Sequence, residues 1–196
     1  MKIDQNKKQN CFTQRTLEAF STTIIELLCE MSFENITINL LCKRSNYPRS
    51  TFYNYFEDIF DLMNYCFDKI ANDIKLDDYE DISHEERTFV LFERLYSYME
   101  SKQIQIDKIL AHNNINGKML HTLNQFIQKK IYEIMIKCPE SKKYPIPFEI
   151  LVEQYSRTLQ LILDWCFFRK KHTRKDDALK YLYYLIGSLE KEMKLL

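Results

Sequence analysis

Glycine is nearly missing from this chain, with only Gly117 and Gly187 among 196 residues. Glycine-rich phosphate-binding loops, which need several glycines close together, are therefore excluded. Three of the four prolines fall within residues 139–147, so most of the sequence also lacks strong helix breakers. Apolar residues recur at three- and four-residue spacing through the remainder, and this pattern predicts an all-α fold.

The chain also lacks an excess of charge of either sign, because 28 basic residues balance 28 acidic residues. This balance excludes a uniformly basic coat for nucleic acid but leaves room for local basic patches. No apolar run approaches membrane-spanning length, and the first residues, MKIDQNKKQN, are largely polar. We therefore expect a cytoplasmic protein.

Metal-binding and disulfide patterns are missing as well. The six cysteines contain no CxxC pair, and reduced thiols fit a chain without a signal peptide better than a disulfide framework. The four histidines are dispersed, with no HExxH motif and no zinc-like spacing to cysteine. We expect no metal, no cofactor and no catalytic residues.

The chain divides at an acid-rich segment, KLDDYEDISHEE, which we interpret as a solvated junction. It predicts a domain over residues 1–72, with roughly the first 12 residues a flexible arm, and a second domain over residues 73–196. In the second domain, helices are predicted near residues 84–101, 103–112, 117–137, 147–170 and 174–194. In the first, an amphipathic helix from Leu17 to Met31 precedes a short helix, ITINLLCKRS, that Thr37 caps.

The next stretch, NYPRSTFYNYF, places five aromatic rings beside one arginine. If residues 49–56 are helical, Phe52 and Phe56 lie on one face and can be buried together, which leaves the other side chains for a partner. Residues 35–56 hold three basic residues and no carboxylate, a local charge of +3. A helix, a turn and a second helix of this kind are typical of a DNA-binding helix-turn-helix. A short amphipathic surface helix with exposed tyrosines is the alternative.

The segment ITINLLCKRSNYPRSTFYNYFEDIFDLM, after the first helix and the Phe33 connection, resembles the N-terminal domain of TetR-like transcriptional regulators. The match covers roughly residues 13–70, and TFYNYF after the turn is its most specific part. Asn46 stands where the family usually has glycine, but asparagine tolerates the left-handed conformation. The resemblance implies an N-terminal helix-turn-helix domain followed by a helical ligand-binding and dimerisation domain.

Eight positions match those at which this family meets DNA. By this resemblance Arg49 and Ser50 contact bases, whereas Tyr53 and Asn54 contact bases or phosphate. Hydroxyl groups of Thr37 and Tyr55 are expected at phosphates. The full expected set is Thr37, Tyr47, Arg49, Ser50, Thr51, Tyr53, Asn54 and Tyr55.

The last two helices carry a sustained heptad-like apolar spacing, which favours a helix–helix seam. An ordinary intramolecular core would give the same spacing. The resemblance adds that such regulators pair through these helices as a four-helix bundle. The expected homodimer interface comprises Leu159, Ile162, Trp165, Cys166, Leu182, Leu185, Ile186 and Leu189.

The middle helices are rich in aromatic residues and methionine. In the family this region often encloses a small-molecule inducer, although a plain core would show the same stripes. Candidate ligand contacts are Phe92, Tyr96, His112, His121, Gln125 and Tyr155.

The sequence therefore predicts a homodimeric DNA-binding transcriptional regulator, a repressor that binds a palindromic operator and is released by an inducer. A helix-turn-helix coactivator or adaptor controlled by a partner protein is the first alternative. An enzyme using the middle pocket is the second, and no nucleophile–base, carboxylate-pair or metal-ligand spacing supports it.

Overall fold

The computed structural model describes residues 11–138, 145–169, 171 and 173–187. Every regular element in this part of the chain is a helix, which confirms the predicted all-α fold. Helices α1 to α4 are Cys11–Leu28, Ile38–Ser45, Arg49–Tyr55 and Ile59–Asp73. Helices α5 to α9 are His84–Ser101, Gln103–His112, Lys118–Ile136, Phe148–Leu163 and Lys175–Leu182. Within the described ranges, no helix is both long and apolar enough to cross a membrane.

Short irregular helices join or extend these elements. A 3-10 turn, Phe33–Asn35, lies between α1 and α2, and π-helical turns, Asp164–Phe168 and Tyr183–Gly187, continue α8 and α9. The first helix is shorter than predicted, because α1 ends at Leu28 and Met31 lies in the turn that follows. The predicted final stretch of the last helix, residues 188–194, lies outside the described residues.

The chain forms two compact units that are not two consecutive segments. Unit 1 contains the described residues up to Ile70 together with Asp107–Leu123. Unit 2 contains Ala71–Ile106 and the described residues from Asn124 onward. The sequence predicted a single domain boundary near residue 72 and did not predict that Asp107–Leu123 belongs to unit 1.

The core of unit 1 is built on the apolar stripe of α1. Leu17, Phe20 and Ile24 are fully buried there, at the spacing that the sequence predicted. Phe20 receives the rings of Phe52 and Phe56, with centroid distances of 5.5 and 6.3 Å, both edge-on. Edge-on packing is the favoured geometry for aromatic pairs, so these contacts fix α3 on α1.

Asn113, at the end of α6, ties the second segment of unit 1 to the first. Its side-chain oxygen accepts a hydrogen bond from the Phe33 N–H at 2.8 Å. Its amide nitrogen donates to the carbonyls of Leu28 at 3.1 Å, Met31 at 3.3 Å and Ile109 at 2.9 Å. Asn113 is buried, and it satisfies backbone groups that the end of α1 would otherwise leave unpaired.

A second link lies beside this one. The Lys118 N–H, at the start of α7, donates to the Glu34 carboxylate at 3.1 Å. Backbone hydrogen bonds from Glu34 itself and from Lys118 lower the pKa of that carboxyl from its ordinary value. A Cβ atom at Gly117 would lie 3.0 Å from the Asn114 carbonyl oxygen, so the turn between α6 and α7 favours glycine there.

The core of unit 2 is formed by α5, α8 and α9 together with Ile131 of α7. The Tyr96 ring packs on Phe167 with a centroid distance of 4.8 Å, and the Tyr96 hydroxyl donates to the Thr173 carbonyl. Burial raises the pKa of Tyr96 to about 12. The other residues buried in this core are Phe92, Met99, Ile131, Leu151, Val152, Tyr155, Ile162, Leu163, Cys166, Ala178, Leu182 and Ile186.

Candidate nucleic-acid interface

Helix α2 begins with the cap that the sequence predicted. The Thr37 hydroxyl oxygen accepts a hydrogen bond from the Leu40 N–H at 3.2 Å, and Thr37 has the extended backbone typical of a cap. Its hydroxyl hydrogen remains a donor, and Thr37 is exposed. Thr37 can therefore cap α2 and donate to a phosphate at the same time.

The turn between α2 and α3 depends on one left-handed residue. Asn46 has φ 58° and ψ 37°, the left-handed conformation expected at a position where the family that the sequence resembles usually has glycine. Pro48 precedes α3 as its N-cap, and its carbonyl accepts from the Thr51 N–H at 3.0 Å. The proline fixes the backbone just before the helix, where its missing N–H costs nothing.

The phenylalanines of α3 anchor the helix, as the sequence predicted. Phe52 and Phe56 are fully buried, with ring centroids 5.5 Å apart. Tyr47 in the turn is half-buried, and its ring lies 5.4 Å from that of Phe20. Tyr55 is only 9% exposed and packs on Phe56, so most of its ring faces the core rather than solvent.

Four side chains of α3 face solvent together: Arg49, Ser50, Tyr53 and Asn54. Thr51, the remaining candidate on this helix, is half-buried. The Arg49 Nη2 atom donates to the Tyr53 hydroxyl at 3.1 Å, and the Arg49 guanidinium carbon lies 5.7 Å from the centre of the Tyr53 ring. The structure thus brings together the residues that the resemblance assigned to bases.

The unpaired positive charge of residues 35–56 is smaller than the +3 given by their sequence, because one of the three basic residues is paired with a carboxylate. Arg44 forms a salt bridge with Glu30, which lies in the turn after α1 and outside residues 35–56. Lys43 and Arg49 are exposed and have no such partner among the salt bridges of the described residues. The sequence could not reveal this pairing, because Glu30, in the turn after α1, and Arg44, in α2, are 14 residues apart.

The ligand candidates do not form one cluster within either unit. Phe92, Tyr96 and Tyr155 are buried in the core of unit 2. His112 and His121 are exposed and belong to unit 1, whereas Gln125 is exposed in unit 2. The polar candidates therefore do not converge on the apolar ones inside unit 2.

The dimer candidates separate into buried and exposed groups. Ile162, Cys166, Leu182 and Ile186 lie in the core of unit 2, and Leu159 packs against it. These contacts are intramolecular, so the alternative of an ordinary core accounts for the heptad stripe. The exposed candidates are Trp165 and Leu185, each 42% exposed, while Leu189 lies outside the described residues.

No protein-family model and no curated protein sequence matches this chain. Solved structures do match it. A protein assigned to the TetR family of transcriptional regulators, from Syntrophomonas wolfei, aligns with 18% identity and a TM-score of 0.65, covering 89% of this chain and 97% of that one. A protein described as a fatty acid metabolism regulator, from Clostridium perfringens, aligns with 15% identity and a TM-score of 0.55, covering 86% and 97%. This chain therefore has the fold of the TetR-family transcriptional regulators.

Proposed function

We propose that this protein is a sequence-specific DNA-binding transcriptional regulator in which α3 enters the major groove. The observation that carries the proposal is the exposed face of α3, where Arg49, Ser50, Tyr53 and Asn54 stand on a helix anchored by buried phenylalanines. No carboxylate occurs in residues 35–56 to repel phosphate. These are the side-chain types that read base edges and hold phosphates.

Each exposed group has a distinct role in this proposal. Arg49 pairs with a guanine edge and Asn54 with an adenine edge, since those pairings match donors to acceptors. Ser50 contacts a base at the start of the helix. Thr37 and Tyr53 donate hydroxyl hydrogens to phosphates, which set the orientation of α3 without reading sequence. Tyr47 and Thr51, both half-buried, line the edges of this surface, and the mostly buried Tyr55 supports it from the core side.

The functional form is a homodimer on a palindromic operator, with two recognition helices about 34 Å apart on one side of the duplex. Its support is an apolar excess on α8, α9 and their π turns, where several large side chains remain exposed. Trp165 and Leu185 are joined there by Leu161, Tyr181 and Tyr184. Apolar side chains exposed in this number on adjacent elements are typical of an interface.

Repression follows if the operator overlaps a promoter, and release follows if a ligand of unit 2 changes the spacing of the two recognition helices. When the two recognition helices no longer fit the operator at the same time, the affinity gained from bivalent binding is lost. A small shift in their spacing is therefore sufficient to release the DNA. The packing of Phe92, Tyr96 and Tyr155 into a core favours a second candidate for the control step, in which a partner protein replaces the small molecule.

Fluorescence anisotropy on labelled genomic fragments tests the proposal. Wild-type protein should bind at least one fragment in a salt-dependent manner, and the Arg49→Ala variant should bind it at least tenfold more weakly. Lys129→Ala on α7, which also removes one exposed positive charge, is the matched control and should bind like the wild type. Equal binding by Arg49→Ala and the wild type would overturn the assignment of α3.

Light scattering tests the dimer independently of DNA. The wild type should have twice the chain mass of 23.8 kDa. Leu185→Glu, which places a charge on the exposed apolar face, should shift the protein toward monomers and red-shift the fluorescence of Trp165, the only tryptophan. A monomeric wild type at micromolar concentration would refute the homodimer.

A further inference from the structure

The two arginines of the helix-turn-helix, Arg44 and Arg49, differ in the side chains with which they interact. Arg44 is paired with the Glu30 carboxylate, which neutralises it. Arg49 is held by a neutral phenol, through the hydrogen bond from Nη2 to the Tyr53 hydroxyl at 3.1 Å. Arg49 therefore keeps its full charge and its affinity for an acceptor, while its side chain has a defined direction.

Tyr53 is itself fixed by the core. Its ring meets the fully buried ring of Phe52 edge-on, with centroids 5.6 Å apart and an interplanar angle of 84°. Arg49 lies one turn before Tyr53 on α3, the spacing at which side chains of a helix meet. A continuous set of contacts thus leads from the core through the Tyr53 ring to the Arg49 guanidinium.

Arg49 has enough N–H donors to keep its hydrogen bond to Tyr53 while it contacts DNA. The guanidinium has five N–H donors, and Tyr53 uses one of the two on Nη2. The four that remain include the pair needed for the O6 and N7 acceptors of guanine. The Tyr53 hydroxyl oxygen accepts the hydrogen bond from Arg49 through a lone pair.

We infer that Tyr53 is a positioning residue that holds Arg49 for guanine readout, so each operator half-site contains a G·C pair whose recognition requires the Tyr53 hydroxyl. This inference rests on the proposed function. An arginine already held in one direction loses less side-chain entropy on binding than a free one. The hydroxyl also couples a phosphate contact, which sets the position of α3, to the base contact, which reads sequence.

A role as a phosphate contact alone makes a different prediction. Loss of a phosphate contact weakens binding by a similar factor on every sequence. Loss of positioning lowers the preference for guanine at one position. The ratio of the affinities for a G·C site and for its A·T variant therefore distinguishes positioning from phosphate contact. A single affinity does not.

The test selects binding sites from a randomised duplex pool with the wild type, Tyr53→Phe and Arg49→Ala. Affinities are then measured on the selected site and on the same site with the Arg49-dependent G·C pair replaced by A·T. The wild type should prefer the G·C site by about tenfold or more. Tyr53→Phe should lower this ratio to less than about threefold, and Arg49→Ala should abolish it. Tyr132→Phe in unit 2, which removes an exposed phenol elsewhere, should leave the ratio unchanged.

The outcomes distinguish this inference from the proposal beneath it. If Tyr53→Phe weakens binding uniformly but keeps the wild-type ratio, Tyr53 is a phosphate contact only and the inference is wrong. If Arg49→Ala selects the same sites as the wild type, the guanine assignment is wrong although DNA binding stands. If the wild type enriches no sequence, both the inference and the proposed function fail. Arg49→Lys, which keeps the charge without the planar fork, should retain the salt dependence and lose the ratio.

Discussion

Replacing Asn113 by leucine should destabilise unit 1 because the buried asparagine satisfies backbone groups on both segments of that unit. Leucine has a similar volume, so the change removes hydrogen bonds without opening a large cavity. The Phe33 N–H, in a residue that is 4% exposed, would lose its partner, and the carbonyls of Leu28 and Met31 would lose theirs. A buried donor without a partner costs about 1–3 kcal/mol, so we expect a total of about 3 kcal/mol.

Amide hydrogen exchange at Phe33 measures this loss where it occurs. A change of about 3 kcal/mol corresponds to a roughly 100-fold faster exchange, provided that exchange proceeds through opening of unit 1. Trp165 lies in unit 2, so its fluorescence during unfolding reports on the other unit and supplies an internal reference. We expect the tryptophan transition to move much less than the Phe33 protection.

Asn116→Leu is the matched control for this experiment. Asn116 is exposed and lies three residues further along the same turn, so the same chemical change should alter stability by less than about 0.5 kcal/mol. If Asn113→Leu left the exchange of Phe33 within threefold of the wild type, the hydrogen bonds of Asn113 would not hold the two segments together. The account of unit 1 as a discontinuous unit would then lose its main support.

Three further perturbations have definite expected results. Thr37→Asp should preserve the cap of α2, and hence the melting temperature, while weakening DNA binding about tenfold, because its carboxylate repels phosphate; Thr37→Ala should instead cost about 1 kcal/mol of stability. Asn46→Ala should cost about 1–2 kcal/mol by thermal melting, whereas Asn46→Gly should not, because only glycine accepts φ 58° without strain. Burial raises the pKa of Cys66 to about 12, so at pH 8 mass spectrometry should find exposed Cys11 alkylated and Cys66 unmodified. Because the folded state resists ionisation of Cys66, the stability contributed by its buried neutral thiol should be fully present below pH 9.0. This contribution should be lost as the pH rises toward about 12.

Local patterns in the sequence were sufficient to predict α3 and the turn before it. The four-residue spacing of Phe52 and Phe56 predicted a buried face, and Asn46 marked the left-handed turn before it. These features depend on residues close together in the chain, where backbone sterics and helical periodicity decide the outcome. The same reasoning predicted the Thr37 cap.

Interactions between residues far apart in the chain could not be predicted from such local patterns. Asn113 contacts residues 80 to 85 positions away, and an asparagine beside a turn gives no sign of which carbonyls it will bind. The segment NNING, rich in turn-forming residues, was the only signal, and it predicts a turn without a partner. The pairing of Arg44 with Glu30 was hidden in the same way.

The heptad stripe of the last two helices could not be assigned by spacing, because an interchain seam and an intrachain core both require it. Packing resolves this choice in favour of the core for Ile162 and Ile186. The candidate that breaks the stripe, Trp165, stays exposed instead. A single exposed apolar side chain is ordinary on a protein surface, so the stronger sign of a second surface is that Trp165 is one of several exposed together on α8, α9 and their π turns.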